Sequence, residues 1–326
     1  MSGSIDHMRP GGPGGPGPRQ RIGVVTVLYH SDAVLEDFFA SLAKQVSEAF
    51  DFRLYVIDNS PGDSGTRLSR ELAQRHAIDA QLIFNDANRG VATGNNQGIA
   101  LALRDGCTHI LLANNDTAFD AGTFAGLLQA LVGGQDRVAT PKIVYHSDPQ
   151  RLWYAGGHIE PWTLRTPHHG LKAVDRGQFD HCEYVGYAPT CFMLLDARVF
   201  ATVGLMDERF FVYYDDTDFA WRLAREGQRI RFVAQCTVQH KVSTSTGGEA
   251  SPFSVYYTNR NRVFFVRKHL RGLAKGTALA YVLMTRLPMS LKFSWPLVRR
   301  MWAGVRDGFR MPIERAHPAR EGVHGA

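Results

Sequence analysis

Apolar runs alternate with amphipathic stretches through the first third of the chain. Ile22 to Leu28, Phe52 to Ile57, Ala80 to Phe84 and His109 to Ala113 are short and mainly aliphatic or β-branched, the pattern of buried strands. After the first strand, Val34, Leu35, Phe38, Phe39 and Leu42 recur at helical spacing, with Asp32 placed to act as N-cap. Ser64 to His76 and Val91 to Arg104 read as two further helices, the second with small residues on one side. Strand–helix alternation in units this short predicts a parallel sheet with helices on both faces.

The polar interruptions are as regular as the apolar runs. Strands two to four lead into Asp58-Asn59-Ser60, Asn88-Arg89-Gly90 and Asn114-Asn115-Asp116. In a parallel sheet these ends share one edge, the edge where open α/β folds bind ligands. Taken alone, Asn114-Asn115-Asp116-Thr117 reads as a turn, with Asp116 capping a helix near Asp120. Three polar clusters converging on one edge favour a binding site instead. There a carboxylate beside two amides offers hard oxygen ligands to a divalent cation.

The pattern is less regular from about 137 to 195, where Val138 to Val144 and Met193 to Leu195 read as strands. His168 and His169 would point to opposite faces of a strand, a poor metal pair, and are read as surface residues. An aromatic run then ends in Asp215, Asp216 and Asp218. On a helix starting near Asp215, Asp215 and Asp218 share a face and Asp216 points elsewhere. Acids in a first turn suit the helix dipole. A carboxylate beside buried rings also has a raised pKa, as a general base requires.

Ile230 to Val233 and Cys236 to Val238 read as two short strands leading to His240, followed by a Gly/Ser/Thr loop at 243–248. A helix is expected from Tyr256 to about His269, and a second helical stretch from Lys275 to Arg310. No run has the length and purity of a transmembrane helix. Its Trp, Leu and Arg residues suit either a helix lying in a membrane interface or packing against the catalytic domain or a second subunit.

Composition narrows the picture. With 326 residues and 44% hydrophobic content the chain can build a large core. A formal charge of +6 suits phosphate-bearing ligands or an anionic surface, and no Lys/Arg block resembles a nucleic-acid arm. Cys107, Cys182, Cys191 and Cys236 form no C-x-x-C pair and no signal peptide is visible, so reduced thiols in a cytoplasmic protein are expected. Residues 1–20 are Gly/Pro-rich and read as a disordered tail, with Met1 to Met8 resembling a cloning remnant. Neither G-x-G-x-x-G after the first strand nor a P-loop motif is present, which disfavours a Rossmann dinucleotide site and a P-loop.

The motifs together resemble the inverting glycosyltransferases of family 2, with the GT-A fold, in the rhamnosyltransferase-like branch. The resemblance runs in order over about residues 21–265. It is carried by Val24 to Tyr29, Val56 to Ser60, Asn88 to Gly98, Leu111 to Asp116, Val203 to Phe211, Asp215 to Asp218, His240, Tyr256-Tyr257 and Arg260-Asn261. It implies an α/β fold: a Rossmann-like, mostly parallel central sheet flanked by helices, with a C-terminal helical extension. Residues 21–118 would form the nucleotide-sugar-binding half, 119–250 the acceptor-binding and catalytic half, and 251–326 the helical region.

The implied roles follow residue by residue. Asp58 would accept from the nucleotide base, with Thr26 and Tyr29 in the same pocket. Asn88, Gly90, Asn95, Asn114, Asn115 and Arg260 would contact the nucleotide sugar. Asp116 and His240 would hold Mg²⁺ or Mn²⁺, and the N-terminus of the helix after Gly90 would assist the diphosphate. Asp216, beside Asp215, would be the general base. The donor would be dTDP-rhamnose or a UDP-sugar and the acceptor a hydroxyl of a glycan or lipid-linked saccharide. The enzyme would sit in the cytoplasm or peripherally at the inner membrane face, with a homo-oligomer left open and no nucleic-acid partner.

Three departures stand out. Asn114 replaces the first Asp of the family's D-x-D, Asp215-Asp216 replaces Glu-Asp, and Pro189-Thr190-Cys191 replaces a Thr-Gly-Ala element. Two alternatives compete: a nucleotidyltransferase, and a non-catalytic carbohydrate-binding protein on the same fold. Thr26-Val27-Leu28-Tyr29-His30 lacks the phosphate loop of the first, and the presence of Asp116, Asp216 and His240 argues against the second.

Overall fold

A computed structural model describes residues 19–242 and 251–313; the tail up to residue 18 and the 243–248 loop lie outside the described residues. Four strands, β1 (Gln20–Leu28), β2 (Phe50–Asp58), β3 (Ala80–Phe84) and β4 (His109–Ala113), pair in parallel in the order β3-β2-β1-β4. Helices α1 (Leu35–Ala43), α2 (Ser64–Arg75) and α3 (Val91–Arg104) connect them. The polar ends of β2 and β4 and the turn after β3 thus meet along one edge, as the alternation predicts. β4 is buried along its whole length, which its uninterrupted apolar sequence requires. The small residues of α3 let it lie close on β1. A Cβ on Gly98 would come within 2.4 Å of Val25 Cγ1.

Beyond β4 the sheet turns mixed. β9 (Phe192–Asp196) pairs antiparallel with β4 and with β6 (Val138–Tyr145). β10 (Ile230–His240) runs parallel to β6 and antiparallel to β5 (Thr117–Phe119), with His240 opposite Thr117. That register brings His240 beside Asp116. β7 (Asp148–Tyr154) and β8 (Tyr184–Val185), which the sequence pattern did not reveal, hang on β6 and β10.

Several local expectations change. Asp32 opens a 3-10 turn (Asp32–Val34) leading into α1 and caps nothing. No helix begins at Asp120: β5 follows Asp116, and α4 (Thr123–Leu131) starts after Gly122. The two short strands before His240 are one strand, β10, interrupted by a bulge between Val233 and Thr237. The long C-terminal stretch is two helices, α8 (Gly272–Lys292) and α9 (Trp295–Arg310), broken at Phe293-Ser294 before Pro296.

α5 (Val199–Thr202), α6 (Asp215–Arg225) and α7 (Pro252–His269) complete the element list. One apolar core joins the sheet to its helices. A second cluster, Phe210, Phe264, Phe265, Val266 and Ala278, fastens the segment before α6 to α7 and α8. α9 lies on α7 through Gly304 and Gly308, where a Cβ would come within 2.4 Å of the Tyr256 and Arg260 carbonyl oxygens.

Candidate active site

The shared edge of β1, β2 and β4 opens into a cavity of about 590 Å³. Tyr29, Asn59, Asn88, Gly90, Asn95, Asn114, Asn115, Asp116 and His240 line it, with Phe211, Val212 and Phe253 along one wall. Eight of these polar or glycine positions are named by the sequence motifs as donor contacts or metal ligands. Asn59 is an additional one.

Amides shape the turn before α3. Asn88 Oδ1 accepts from Gly90 N at 3.0 Å, and Asn59 Nδ2 donates to Gly90 O at 3.0 Å. Asn85 Nδ2 in turn donates to Asn59 Oδ1 at 2.8 Å. Gly90 has φ +85°, and a Cβ there would come within 2.6 Å of Phe211 O. The Val91 N–H donates to that same carbonyl at 2.6 Å. The first amide of α3, expected to face the diphosphate, is therefore already satisfied by the protein.

Asn115 is likewise partly committed: its Nδ2 donates to Val27 O at 2.7 Å and holds the end of β4 against β1. Asn114 is exposed. Asp116 and His240 are both buried, with His240 Nε2 3.2 Å from Asp116 Oδ1. Burial opposes the His240 imidazolium, but the neighbouring Cys191 sulfur and the Asp116 carboxylate raise its pKa well above the ordinary value. A bound cation would reverse this, since a metal takes only the neutral ring.

Three expected donor contacts fall outside the cavity lining. Thr26 is buried, and strand alternation puts its neighbour Val27 on the cavity side. Asp58 is fully buried; Oδ1 accepts from Ser60 N at 3.0 Å and Oδ2 from the Thr66 hydroxyl at 2.8 Å, tying β2 to α2. Arg260 donates to the Arg209 and Phe210 carbonyls, each at 2.8 Å, and lies over the Tyr257 ring.

The three acids of α6 occupy different environments. Asp218 is fully buried between Lys268, His269 and Arg222. Burial works against its charge, but His269, Lys268 and Arg222 prevail and hold its pKa well below the usual range. Asp215 is buried without a cation; burial pushes its carboxyl up to about 8, and the charges of Asp216 and Asp218 add to this. Asp216 is half-buried, accepting from the Tyr187 hydroxyl at 2.5 Å and from Thr217 N at 2.6 Å. The raised pKa expected of an acid beside these rings thus resides on Asp215.

The backbone just before these acids is strained. Phe211, Tyr213 and Tyr214 have φ of 65°, 62° and 64°. Fully buried Asn261, on α7, holds this turn: its Nδ2 donates to Phe210 O and Val212 O at 2.7 Å and to Tyr213 O at 2.9 Å.

Asp216 does not line the cavity of Asp116 and His240, but a chain of contacts joins them. Trp153 packs edge-on to His240 and to His168, with centroids 4.5 and 4.6 Å apart. His168 stacks over Tyr187 at 6.0 Å, and Tyr187 donates to Asp216. His168 is thus no surface residue: half-buried, it pairs its Nδ1 with Trp153 O at 2.9 Å, and burial lowers its pKa. His169 diverges towards His158 and Phe179. No sequence signal marks Tyr187 or Trp153 for this role: Tyr187 lies in an irregular segment, and Trp153 lies in β7, a strand without a recognisable apolar run.

Comparison with solved proteins places this geometry. Over 90% of the chain the fold superposes on GalNAc-T7, solved with UDP, GalNAc and Mn²⁺, with a TM-score of 0.62 at 13% identity; the match spans 56% of that protein. It also superposes on the mannosyltransferase PcManGT from Pyrobaculum calidifontis, in complex with GDP-Man and Mn²⁺, with a TM-score of 0.55 at 14% identity, covering 90% of this chain and 86% of that one. The architecture is that of the GT-A glycosyltransferases.

The sequence pattern of glycosyl transferase family 2 matches residues 23–198, more than half the chain, and the chain belongs to that family. The low-salt glycan biosynthesis hexosyltransferase Agl10 of Haloferax volcanii is 24% identical over 254 residues, 74% of each chain. The N-acetylglucosaminyl-diphospho-decaprenol L-rhamnosyltransferase of Mycobacterium tuberculosis is 25% identical over 266 residues, 76% of this chain and 84% of that one. The protein is a glycosyltransferase of the rhamnosyltransferase-like branch. Among the described residues all four cysteines are free, and no helix is long and apolar enough to cross a membrane.

Proposed function

We propose that the protein moves a sugar, with inversion, from a nucleoside-diphosphate sugar to a hydroxyl of a glycan or lipid-linked saccharide. The observation that carries this reading is the Asp116–His240 pair in the cavity, linked through Trp153, His168 and Tyr187 to Asp216. The donor's diphosphate and sugar would occupy the cavity among Tyr29, Asn59, Asn88, Asn95 and Asn114. The acceptor would approach Asp216 from its own side, past Tyr187.

Asp116 and His240 fit a divalent cation. Their Nε2 and Oδ1 atoms, 3.2 Å apart at the cavity wall, would offer the ion one imidazole nitrogen and one hard carboxylate oxygen. Among the described residues no group of three His, Cys, Asp or Glu that could hold a metal ion gathers, so a cation held by these two side chains would need further oxygen ligands, such as those of a diphosphate. When bound, the cation supplies positive charge to the leaving diphosphate. Asp216 takes the acceptor hydroxyl proton as that oxygen bonds to the anomeric carbon and the bond to the diphosphate oxygen breaks. Tyr187 orients the Asp216 carboxylate, and Asn261 fixes the turn that presents it.

The hexosyltransferase and rhamnosyltransferase activities of the relatives support a hexose donor, with dTDP-rhamnose and UDP-sugars the first to assay. The test is transfer from these donors with Mg²⁺ or Mn²⁺, with EDTA, and with Asp216→Asn. Metal-dependent turnover that Asp216→Asn lowers by about 10²–10⁴-fold, with donor affinity kept, supports the reading. Release of pyrophosphate from a nucleoside triphosphate and sugar phosphate, with no glycoside formed, would replace it with a nucleotidyltransferase.

A further inference from the structure

We infer that the outer face of α8 and α9 is a docking surface for an anionic lipid bilayer. This goes beyond the transfer reaction and does not depend on it.

α8 has a buried side and an opposite, exposed apolar side. Ala278, Val282 and Arg286 form the buried stripe, with Arg286 donating to Asn259 Oδ1 on α7. Leu273, Met284, Leu287 and Leu291 are 85%, 66%, 62% and 90% exposed. At about 100° per residue these four fall within a sector of about 60°, opposite the buried stripe. The exposed positions between them on that side, Thr277, Ala280 and Pro288, carry no charge. The stripe runs the length of a helix of about 30 Å, and Trp295, 71% exposed, extends it onto α9. An uncharged strip of this length carrying four exposed large apolar side chains is unlike the scattered exposed leucines of an ordinary surface.

Charge identifies what covers it. Residues 271–310 hold eight Lys or Arg and a single acid, Asp307, a balance of +7. The whole chain carries +6, so everything outside these helices sums to −1. Beside Trp295, a groove of about 1050 Å³ is lined by Arg299, Arg300, Arg306 and Trp302. A second copy docking the same face would set two strongly cationic surfaces together. An anionic bilayer supplies both an apolar layer for the leucines and phosphates for the arginines. Because α8 is not apolar enough to cross a membrane, it would lie in the interface plane.

The first turn of α7 links this face to the site: Pro252 lines the groove and Phe253 the donor cavity. Docking would therefore bring the donor cavity close to the lipid surface.

The test is co-sedimentation of the full chain with vesicles of phosphatidylcholine alone or mixed with phosphatidylglycerol, at low and high salt. Binding should require phosphatidylglycerol, weaken with salt, and fall about tenfold or more both in Leu287→Glu/Leu291→Glu and in Arg299→Glu/Arg300→Glu. These side chains are exposed, so circular dichroism and Tm should match the parent protein, as should turnover of a soluble acceptor. Two results would overturn the proposal: vesicle binding absent or unaffected by either pair, or a concentration-dependent dimer that Leu287→Glu/Leu291→Glu disperses while no vesicles are bound. Failure of sugar transfer would leave the binding measurement standing.

Discussion

The Tyr187 hydroxyl donates to Asp216 Oδ2 across 2.5 Å, and Tyr187 is itself buried beneath His168. Burial, reinforced by the Asp216 charge, raises the phenol pKa well above its ordinary value, so Tyr187 remains a donor at any working pH. The carboxylate is thereby held in one orientation. Tyr187→Phe keeps the ring and removes only that bond. It should lower kcat about tenfold while leaving the donor KM unchanged, as steady-state kinetics would record. A change confined to donor KM would show that Tyr187 serves the nucleotide instead.

Asp116→Asn should raise the Mn²⁺ concentration needed for half-maximal activity by about 10–100-fold, because it removes the anionic member of the 3.2 Å pair with His240. Metal titration of EDTA-treated protein measures this. An unchanged activation curve would move the cation elsewhere.

Asp215 makes stability fall with rising pH. Its folded-state pKa is about 8, above the ordinary carboxylate range, so the folded protein holds a proton that the unfolded chain releases. Stability is lost progressively as pH climbs from about 4 to about 8. Asp218, with a depressed pKa, acts oppositely: its contribution is present above the ordinary carboxylate range and fades as pH falls below it. Asp215→Asn should therefore raise Tm by several degrees near pH 8 and by little near pH 4. A gap independent of pH in thermal scans would contradict a protonated Asp215.

Gly90→Ala forces a Cβ to within 2.6 Å of Phe211 O at a φ of +85°. The turn before α3 must move, taking with it Asn88 and the Val91–Phe211 hydrogen bond. The expected outcome is about 1–3 kcal/mol lost in denaturant unfolding and a donor affinity lowered at least severalfold by calorimetry. Wild-type affinity would mean that the cavity does not depend on this turn.

The parallel half of the fold was readable because its strands are continuous apolar runs with polar stops, a signal each residue carries locally. Asp116 and His240 were paired in advance only through the resemblance, and the register of β10 on β5 explains why they meet. The resemblance puts Thr26, Asp58 and Arg260 at the donor, whereas the structure has them outside the cavity lining; alternation along a strand says little about which face borders a cavity. Nor does the sequence tell whether a polar group is already occupied by other groups of the protein, as Asp58 and Arg260 are. Tyr187 and Asp216 lie 29 positions apart, with an irregular segment before Tyr187, and no periodicity announces their contact. The division of the last stretch into α8 and α9 escaped notice because helical spacing is nearly the same on both sides of the break.

The clamp of Asn261 on the turn before Asp216 has a consequence for modularity. Residues 23–198, which carry the family pattern, contain Asp116 but neither Asp216 nor Asn261. A shortened chain ending at His240 would keep β1 to β4 and much of the cavity lining. Its Phe211–Tyr214 backbone would relax into ordinary torsions, and Asp216 would lose its aim. On the proposed reading, binding of the donor and activation of the acceptor would therefore not be severable at the point where the family signature stops.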